Sequence, residues 1–409
     1  MARVDYQLLV VDKTGSTVLC DPIGVGSPAL GKPGYSEITL GPRHLEVGFG
    51  QVTVTPNPDL IDAVNTPDAR IVAVRDSDEA DTRIAMSGPI ESQPLGYAAE
   101  RDGTDGPGTL TVRFADDLAQ LADVNVYPDP ANASTAQTVA KYAISNANPE
   151  DAIRTLINLN CGPGAIAARQ ISGLTLGPDL GLMSGVLVST SFTRATALMD
   201  AIREVSRLAG GNGLGVSAVQ LMGTGTLVSV YQPTDRTSTV WYGRDFGNVL
   251  TLNFEPTAPT CTVAIVGDET AGPARIIRER VNTAAHAAGW RRRELFVDGR
   301  SAANLTELDQ LGDKALADGA PKYTVSITAK ETPDQQYGLH VLPGDLVSVV
   351  IASGLVLEQV CAGADIKVTP DRGEVVTPLI GVDPAVLADG KATELRRIYQ
   401  RLAAIEGAL

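Results

Sequence analysis

Thr109-Leu110-Thr111-Val112-Arg113-Phe114 runs directly into Ala115-Asp116-Asp117-Leu118-Ala119-Gln120-Leu121 and then, a few residues on, into Tyr127-Pro128-Asp129-Pro130. The first six residues alternate, which puts Leu110, Val112 and Phe114 on one face of a half-buried strand. From Ala115 the apolar spacing lengthens to about 3.6, and the two aspartates open a short helix. Two prolines then forbid the helix from continuing. A β-unit therefore ends in a helical corner, and we place a domain boundary at residue 128.

Reading back from that corner, strand-like runs lie at residues 6–11, 36–40, 51–55, 70–74 and 83–86, separated by Gly, Pro, Asp and Asn. With 109–114 they make six short strands, the number that closes a small barrel or sandwich. Long loops fall at 12–33 and 88–108. Forward of the corner the pattern is mixed. Residues 135–147 read as a helix. Asn148-Pro149-Glu150-Asp151 supplies an N-cap, a proline at the first helical position and two acids on the positive helix end, so a second helix runs to about Asn160 and stops at Gly162-Pro163. A third, at 193–209, carries Leu198, Ile202 and Val205 on one stripe and ends at Gly210-Gly211. Strands are expected at 214–221, 226–231 and 237–241.

Asp245-Phe246-Gly247-Asn248 reads as a turn between that segment and strands at 249–254 and 261–266. Residues 275–281 fit either a strand or a helix, and 303–317 fit a helix with Leu305, Leu308, Leu311 and Leu316 apolar. A second dense β-region follows, at 323–328, 346–351, 355–361, 366–369 and 375–380, which predicts a second small barrel. The expected fold is α+β and β-rich. It comprises a first barrel (1–128), a mixed α/β insert (129–244), an α/β connecting segment (245–320), a second barrel (321–383) and a C-terminal amphipathic helix (384–409). In that last segment Leu395, Ile398, Leu402, Ile405 and Leu409 are spaced 3, 4, 3, 4, an a/d seam that predicts association. Arg401 falls at g and Glu406 at the following e, positioned to pair between parallel chains. The alternative for this seam is docking on its own domain.

Composition narrows the function. The chain has 409 residues, 41 glycines, 25 prolines and only 4% aromatics, a β-rich balance. With 33 basic against 48 acidic residues its formal charge is −15, the wrong sign for coating nucleic acid. No run reaches the ~20 apolar residues of a membrane helix. No cleavable leader is read at Met1-Ala2-Arg3-Val4-Asp5. Cys20, Cys161, Cys261 and Cys361 are far apart without a C-x-x-C pair, so we expect reduced, mostly buried thiols and neither a metal site nor a cofactor.

Several motifs imitate chemistry. Gly26-Ser27-Pro28-Ala29-Leu30-Gly31-Lys32 has Walker A spacing, but Pro33 stands where a hydroxyl must bind magnesium. Gly210 to Gly215 follows a helix and precedes a strand, the reverse of the dinucleotide-binding order. His44-Leu45-Glu46 lacks the cysteine half of a zinc deaminase signature, leaving a surface histidine. No G-x-S-x-G is present. Asp116-Asp117 reads as helix caps, since adjacent residues point apart on a helix. Asp76, Asp78, Glu79 and Asp81 lack the glycine of a calcium loop and read as a solvated turn. Arg291-Arg292-Arg293 beside Trp290, with Arg275, Arg278 and Arg280 upstream, is diluted by Glu279 and Glu294 and reads as a solvated or intersubunit face.

The stretch 113–123 followed by Tyr127-Pro128-Asp129-Pro130 resembles the minor tail proteins of long, non-contractile-tailed phages of actinobacteria, where a barrel strand enters a "DDLxxLAD" helix and a "YPDP" corner. Thr138-Val139-Ala140-Lys141-Tyr142, the amphipathic stretch 193–208, Gln232-Pro233-Thr234-Asp235-Arg236-Thr237, Phe246-Gly247-Asn248-Val249, Val266-Gly267-Asp268 and Pro343-Gly344-Asp345-Leu346-Val347 continue the likeness in order across residues 6–382. The resemblance implies a non-enzymatic tail hub, similar to the baseplate hubs of contractile tails. Three copies, each with two barrels, would form a pseudo-sixfold ring joining the sixfold tail to a threefold tip. It further implies a place in the virion at the tail tip after assembly in the host cytoplasm, contacts with the distal tail ring protein and other tail-tip proteins, and transient passage of phage DNA. No cell-wall-cutting segment is read downstream. The C-terminal seam would carry the threefold axis onward. The competing functional reading is an oligomeric tail-tip module that binds or cleaves host cell-wall glycan, which needs aromatic platforms or a carboxylate pair; Trp241 and Trp290 are the two tryptophans. A cytosolic enzyme without a recognisable motif is the third.

Overall fold

The computed structural model describes residues 4–20, 35–77, 83–96, 108–210, 212–268, 270, 272–299, 305–320, 322–352 and 355–381. The Walker-like stretch, most of the acidic turn and the C-terminal seam lie outside them. The described residues divide into two units, one drawn from residues 4–251 and 327–381 and one from 252–326.

The first unit begins with β1 (Val4–Val11), β2 (Val18–Cys20), β3 (Tyr35–Gly41), β4 (Phe49–Val54), α1 (Pro58–Val64), β5 (Arg70–Ser77), β6 (Arg83–Ser92), β7 (Leu95–Gly96) and β8 (Thr109–Ala115). Alternation decides which face is inside: Ile38 and Leu40, Val52 and Val54, and Leu110, Val112 and Phe114 are all buried. Asn57 caps α1 by accepting from the Leu60 N–H at 2.8 Å, with Pro58 at the first helical position. The corner follows as α2 (Ala119–Ala122) and β9 (Asn125–Val126).

The inserted layer holds β10 (Lys141–Ala147), α3 (Pro149–Asn160), β11 (Thr175–Leu176), β12 (Val188–Thr193), β13 (Thr196–Ala197), α4 (Leu198–Ala209), β14 (Gly215–Leu221) and β15 (Gly225–Tyr231). Asn148 caps α3 as its sequence predicts, accepting from the Glu150 and Asp151 N–H groups. The helix expected at 135–147 is absent: residues 141–147 form β10, paired antiparallel with β12. Helices α3 and α4 pack together over a core of Ile153, Leu156, Ile157, Ile202 and Val205, closed by Val216, Val228 and Val230 of the β14–β15 hairpin. At the end of α4, Gly210 adopts φ +73 and Gly213 φ +65, so the glycine cluster is a helix cap and turn.

The chain then passes through β16 (Trp241–Gly243), a turn with Gly247 left-handed, and β17 (Val249–Thr257). The second unit contains β18 (Val263–Gly267), β19 (Ile277–Val281), α5 (Thr283–Ala287), β20 (Glu294–Asp298) and α6 (Leu305–Asp318). Its sheet order is β19-β18-β20, and the undecided segment 275–281 resolves as a strand. Helix α6 lies on that sheet around Cys261, Ala264 and Leu316. Gly312 sits mid-helix, where glycine costs about 1 kcal/mol; a Cβ there would stand 2.5 Å from Arg280 Cγ, so the glycine is what lets α6 approach.

After β21 (Lys322–Ala329), strands β22 (Leu346–Ala352), β23 (Leu355–Thr369) and β24 (Gly373–Gly381) follow. The strands of the two expected barrels join in one 14-stranded sheet of order β17-β21-β24-β23-β3-β4-β8-β6-β5-β1-β2, with β22 and β16 branching from β23 and β7 beside β8. The join is β23 on β3, pairing Ile366 with Leu40 and Val368 with Ile38. Accordingly Ala364, Ile366 and Val368 share a core with Tyr6, Leu8, Val10, Ile71 and Phe114. β23 is one strand where the sequence reads as two. Its register shifts between Cys361 and Gly363, so its first half pairs β22 and its second half pairs β24.

Candidate functional site

The corner that decides the fold is also where the most buried charge gathers. β8 delivers Asp116 and Asp117 side by side onto the passing strands β4, β5 and β6. Asp116 Oδ2 accepts from the Gly48 N–H at 2.8 Å and Oδ1 from the Leu118 N–H at 3.1 Å. Burial nonetheless pushes this carboxyl up to about 6, against the opposing pull of the two N–H groups and Arg43. The strands come this close because two positions lack a Cβ. One added at Gly48 would stand 2.6 Å from Gly41 O, and one at Gly88 would stand 1.9 Å from Ala115 O.

Asp117 is 0% exposed. It forms an ion pair with Arg70 of β5 and accepts a short hydrogen bond from the Ser87 hydroxyl of β6. Ser87 Oγ in turn accepts from the Gln220 N–H of β14 at 2.8 Å. Gln120 Nε2 donates to Asp117 Oδ1 and to Thr226 Oγ1 of β15, and Gln220 Nε2 donates to Thr14 O in the β1–β2 turn. One carboxylate thus sits at the centre of a buried network that joins the sheet, the corner and the inserted layer. Desolvation lowers the Arg70 guanidinium to about 10. The expectation that both aspartates are ordinary helix caps is corrected here: Asp116 does accept from the helix start, but both side chains are enclosed by strands distant in sequence.

Two further carboxylates hold the unit together. Asp345 Oδ1 accepts from the Thr234 N–H at 2.8 Å; its Oδ2 accepts from Arg236 Nε at 2.6 Å and from the Leu342 N–H at 3.0 Å. This joins two stretches read separately in the sequence, 232–237 and 343–347. Glu374 of β24 accepts from the Tyr6 hydroxyl at 2.6 Å and from Arg75 Nε and Nη2 at 3.0 and 2.9 Å, tying β24 to β1 and β5. His44 is not a surface histidine. Its Nδ1 lies 2.9 Å from the Tyr231 hydroxyl, the ring packs against Gly344, and burial depresses its pKa to about 4.

The basic cluster of the second unit is paired internally. Arg278 meets Asp309, Arg280 meets Asp313, Arg292 meets Glu279 and Glu294, and Arg293 donates to Pro259 O. All four cysteines are free and buried. Among the described residues no three His, Cys, Asp or Glu side chains stand close enough to hold a metal ion, and no helix is long and apolar enough to cross a membrane. Leu395, Ile398, Arg401, Leu402, Ile405, Glu406 and Leu409 lie outside the described residues. Sequence reasoning singled out Asp117 without its partners and missed Arg70, Gln220 and Glu374, because the contacts come from strands 30 to nearly 370 residues away.

The sequence matches the siphovirus ReqiPepy6 Gp37-like protein family over residues 32–382, and the chain belongs to that family. The 43 kDa tail protein of prophage MuSo2 from Shewanella oneidensis has a similar structure at 13% identity, with a TM-score of 0.52 covering 93% of this chain and 99% of that one. The tail protein from Neisseria meningitidis MC58 matches at 15% identity and a TM-score of 0.48 over 92% and 97% of the two chains. Prophage tail protein gp18 from Listeria monocytogenes EGD-e matches at 10% identity, with a TM-score of 0.48 over 95% and 98%. No curated protein matches the chain. The resemblance read from the corner motif is therefore correct at the level of a siphovirus tail protein.

Proposed function

We propose that this chain is a non-enzymatic tail-tip hub: a homotrimer whose three copies each contribute two barrel-like halves to a pseudo-sixfold ring joining the sixfold tail to a threefold tip. The halves are residues 1–128 and 321–383, with 129–244 and 245–320 as insert and connector. The observation that carries the reading is the family match across residues 32–382, and the likeness to the prophage MuSo2 tail protein supports the fold. The β3–β23 pairing, which places both halves of a copy in one sheet, supports this reading. The distal tail ring protein and other tail-tip proteins are its neighbours in the virion, and phage DNA passes through the opening. A formal charge of −15 suits that passage, since an acidic wall does not retain phosphate.

In this reading Leu395, Ile398, Leu402, Ile405 and Leu409, with Arg401 and Glu406 beside them, continue the threefold axis as a parallel helical bundle. Light scattering tests it. The full chain should run at three times 42.7 kDa, about 128 kDa, and the full-length double variant Ile398→Asp, Leu402→Asp should lose mass. A full chain that stays monomeric at all concentrations overturns a self-sufficient trimer.

A further inference from the structure

One face of the first unit is apolar where a sheet surface should be polar. In the three strands β16, β22 and β23, cross-strand partners share a face: Leu346 with Val360, Ser348 with Glu358 and Trp241, and Val350 with Val356 and Gly243. On the opposite face Tyr242, Val347 and Val349 are fully buried. The face carrying Leu346, Val350, Val356, Val360 and Trp241 turns outward around a buried Ser348, 4% exposed, whose hydroxyl donates to Thr237 O, and Phe246 lies over Gly243 against Val350 to extend it. Phe246 is 55% exposed, Val356 43% and Trp241 36%. The run 346–351, apolar except for Ser348, has the composition of a strand covered on both sides.

The chain itself leads to this face. β24 ends at Gly381, one residue after Ile380 pairs with Cys361, the chain neighbour of Val360 in the apolar surface. From there 28 residues follow, and their last 17 carry the stripe Leu395, Ile398, Leu402, Ile405 and Leu409. As a helix the stripe is about 21 Å long and ~10 Å across. Three strands span about 10 Å, and Leu346 to Val350 run about 13 Å. The eleven intervening residues reach up to ~36 Å, more than the crossing needs. Charge agrees as well: Glu358 stands exposed within the face, and Arg401 borders the stripe.

We propose that in the unassembled chain residues 393–409 lie as a helix on the outer face of β16, β22 and β23, with the stripe inward and Arg401 toward Glu358. The proposal rests on the reading of this stripe as the contact between copies in the trimer. It adds that each chain covers its own apolar face with that stripe until copies meet. A short tether holds the segment at millimolar effective concentration, so the self-covered form prevails in dilute solution and assembly exchanges one partner for another.

Trp241 reports the contact directly, and Trp290→Phe leaves it as the sole tryptophan. In this full-length variant, at a concentration where light scattering gives a monomer, Trp241 should emit in the blue and resist acrylamide. Adding Ile398→Asp and Leu402→Asp should shift its emission to the red. The quenching constant should rise at least about twofold, since covering a ring that is 36% exposed on the bare face removes most of the area open to a quencher. Trypsin should cut after Arg396 and Arg397 more slowly in the parent than in the substituted chain, and far-UV circular dichroism confirms that both are folded. Equal quenching and equal cutting overturn the proposal. Protection that appears only at trimer concentrations also overturns it, while leaving the hub reading intact. Protection in a chain that never exceeds monomer mass keeps the proposal and removes the self-sufficient trimer.

Discussion

Replacing Asp117 with alanine tests whether the buried network at the corner holds the sheet and the inserted layer together. The substitution leaves the Arg70 guanidinium, 4% exposed, without its counter-charge and the Ser87 hydroxyl without its acceptor. Breaking one side of a buried ion pair costs about 3–5 kcal/mol, most of it the penalty for the orphaned charge. For the roughly 330 residues of this unit, an unfolding entropy of ~2.1 cal/mol/K per residue converts that loss to a fall in Tm of about 4–7 °C. The diagnostic comparison is a double-mutant cycle with Arg70→Met. Asp117→Leu and Arg70→Met should each be strongly destabilising alone, whereas the two together should recover most of the loss, because no buried charge remains. Thermal unfolding followed by circular dichroism reads all three. An Asp117→Ala chain within ~0.5 kcal/mol of the parent, or a double variant as unstable as the sum of the singles, refutes the assignment.

Three further outcomes are expected. Asp116 has a folded pKa of about 6 against an ordinary 3.8, so the folded chain holds this proton more tightly than the unfolded one and stability falls as pH rises from about 4 to about 6. Asp116→Asn should flatten that slope in urea titrations at pH 4.5 and 7, and an unchanged slope contradicts it. Glu374→Gln removes the charge that accepts from Tyr6 and Arg75 and should cost about 2–3 kcal/mol by urea unfolding; a neutral result means that β24 is held by its ladder alone. Gly88→Ala puts a Cβ 1.9 Å from Ala115 O and should cost about 1–3 kcal/mol or more through displacement of the corner, visible as a lowered Tm that Ser87→Ala does not reproduce in kind.

The sequence was most legible where structure is local. The Asn148 cap, Pro149 and the two acids after it define the start of α3 by contacts within three residues, and the structure shows those contacts. The β-rich class, the outer β-regions and the mixed layer between them also follow from periodicity. Residues 135–147 misled because β10 is decided by β12, more than forty residues on, and nothing inside the stretch signals that pairing. β23 reads as two strands because Gly363-Ala364-Asp365 looks like a break. In the fold Gly363 is a bulge with φ +149, and a Cβ there would lie 2.1 Å from Pro42 O, so the apparent gap is a bend that lets one strand serve two pairings. The corner aspartates were legible as residues and illegible as a site. Two adjacent acids at a helix start look alike whether water or Arg70 lies beyond them, and only the sheet supplies Arg70.

That same β23 strand sets a schedule for the chain's synthesis. β3 leaves the ribosome early, but its partner at Ile366 to Val368 is made more than three hundred residues later. At ~5–20 residues per second, the edge of β3 waits about 15–65 seconds for the strand that covers it, with Ile38 and Leu40 lacking part of their final core. A segment made early in this protein is therefore completed only near the end of its synthesis, and a host cell must keep a sheet edge from meeting the same edge on the nascent chain beside it.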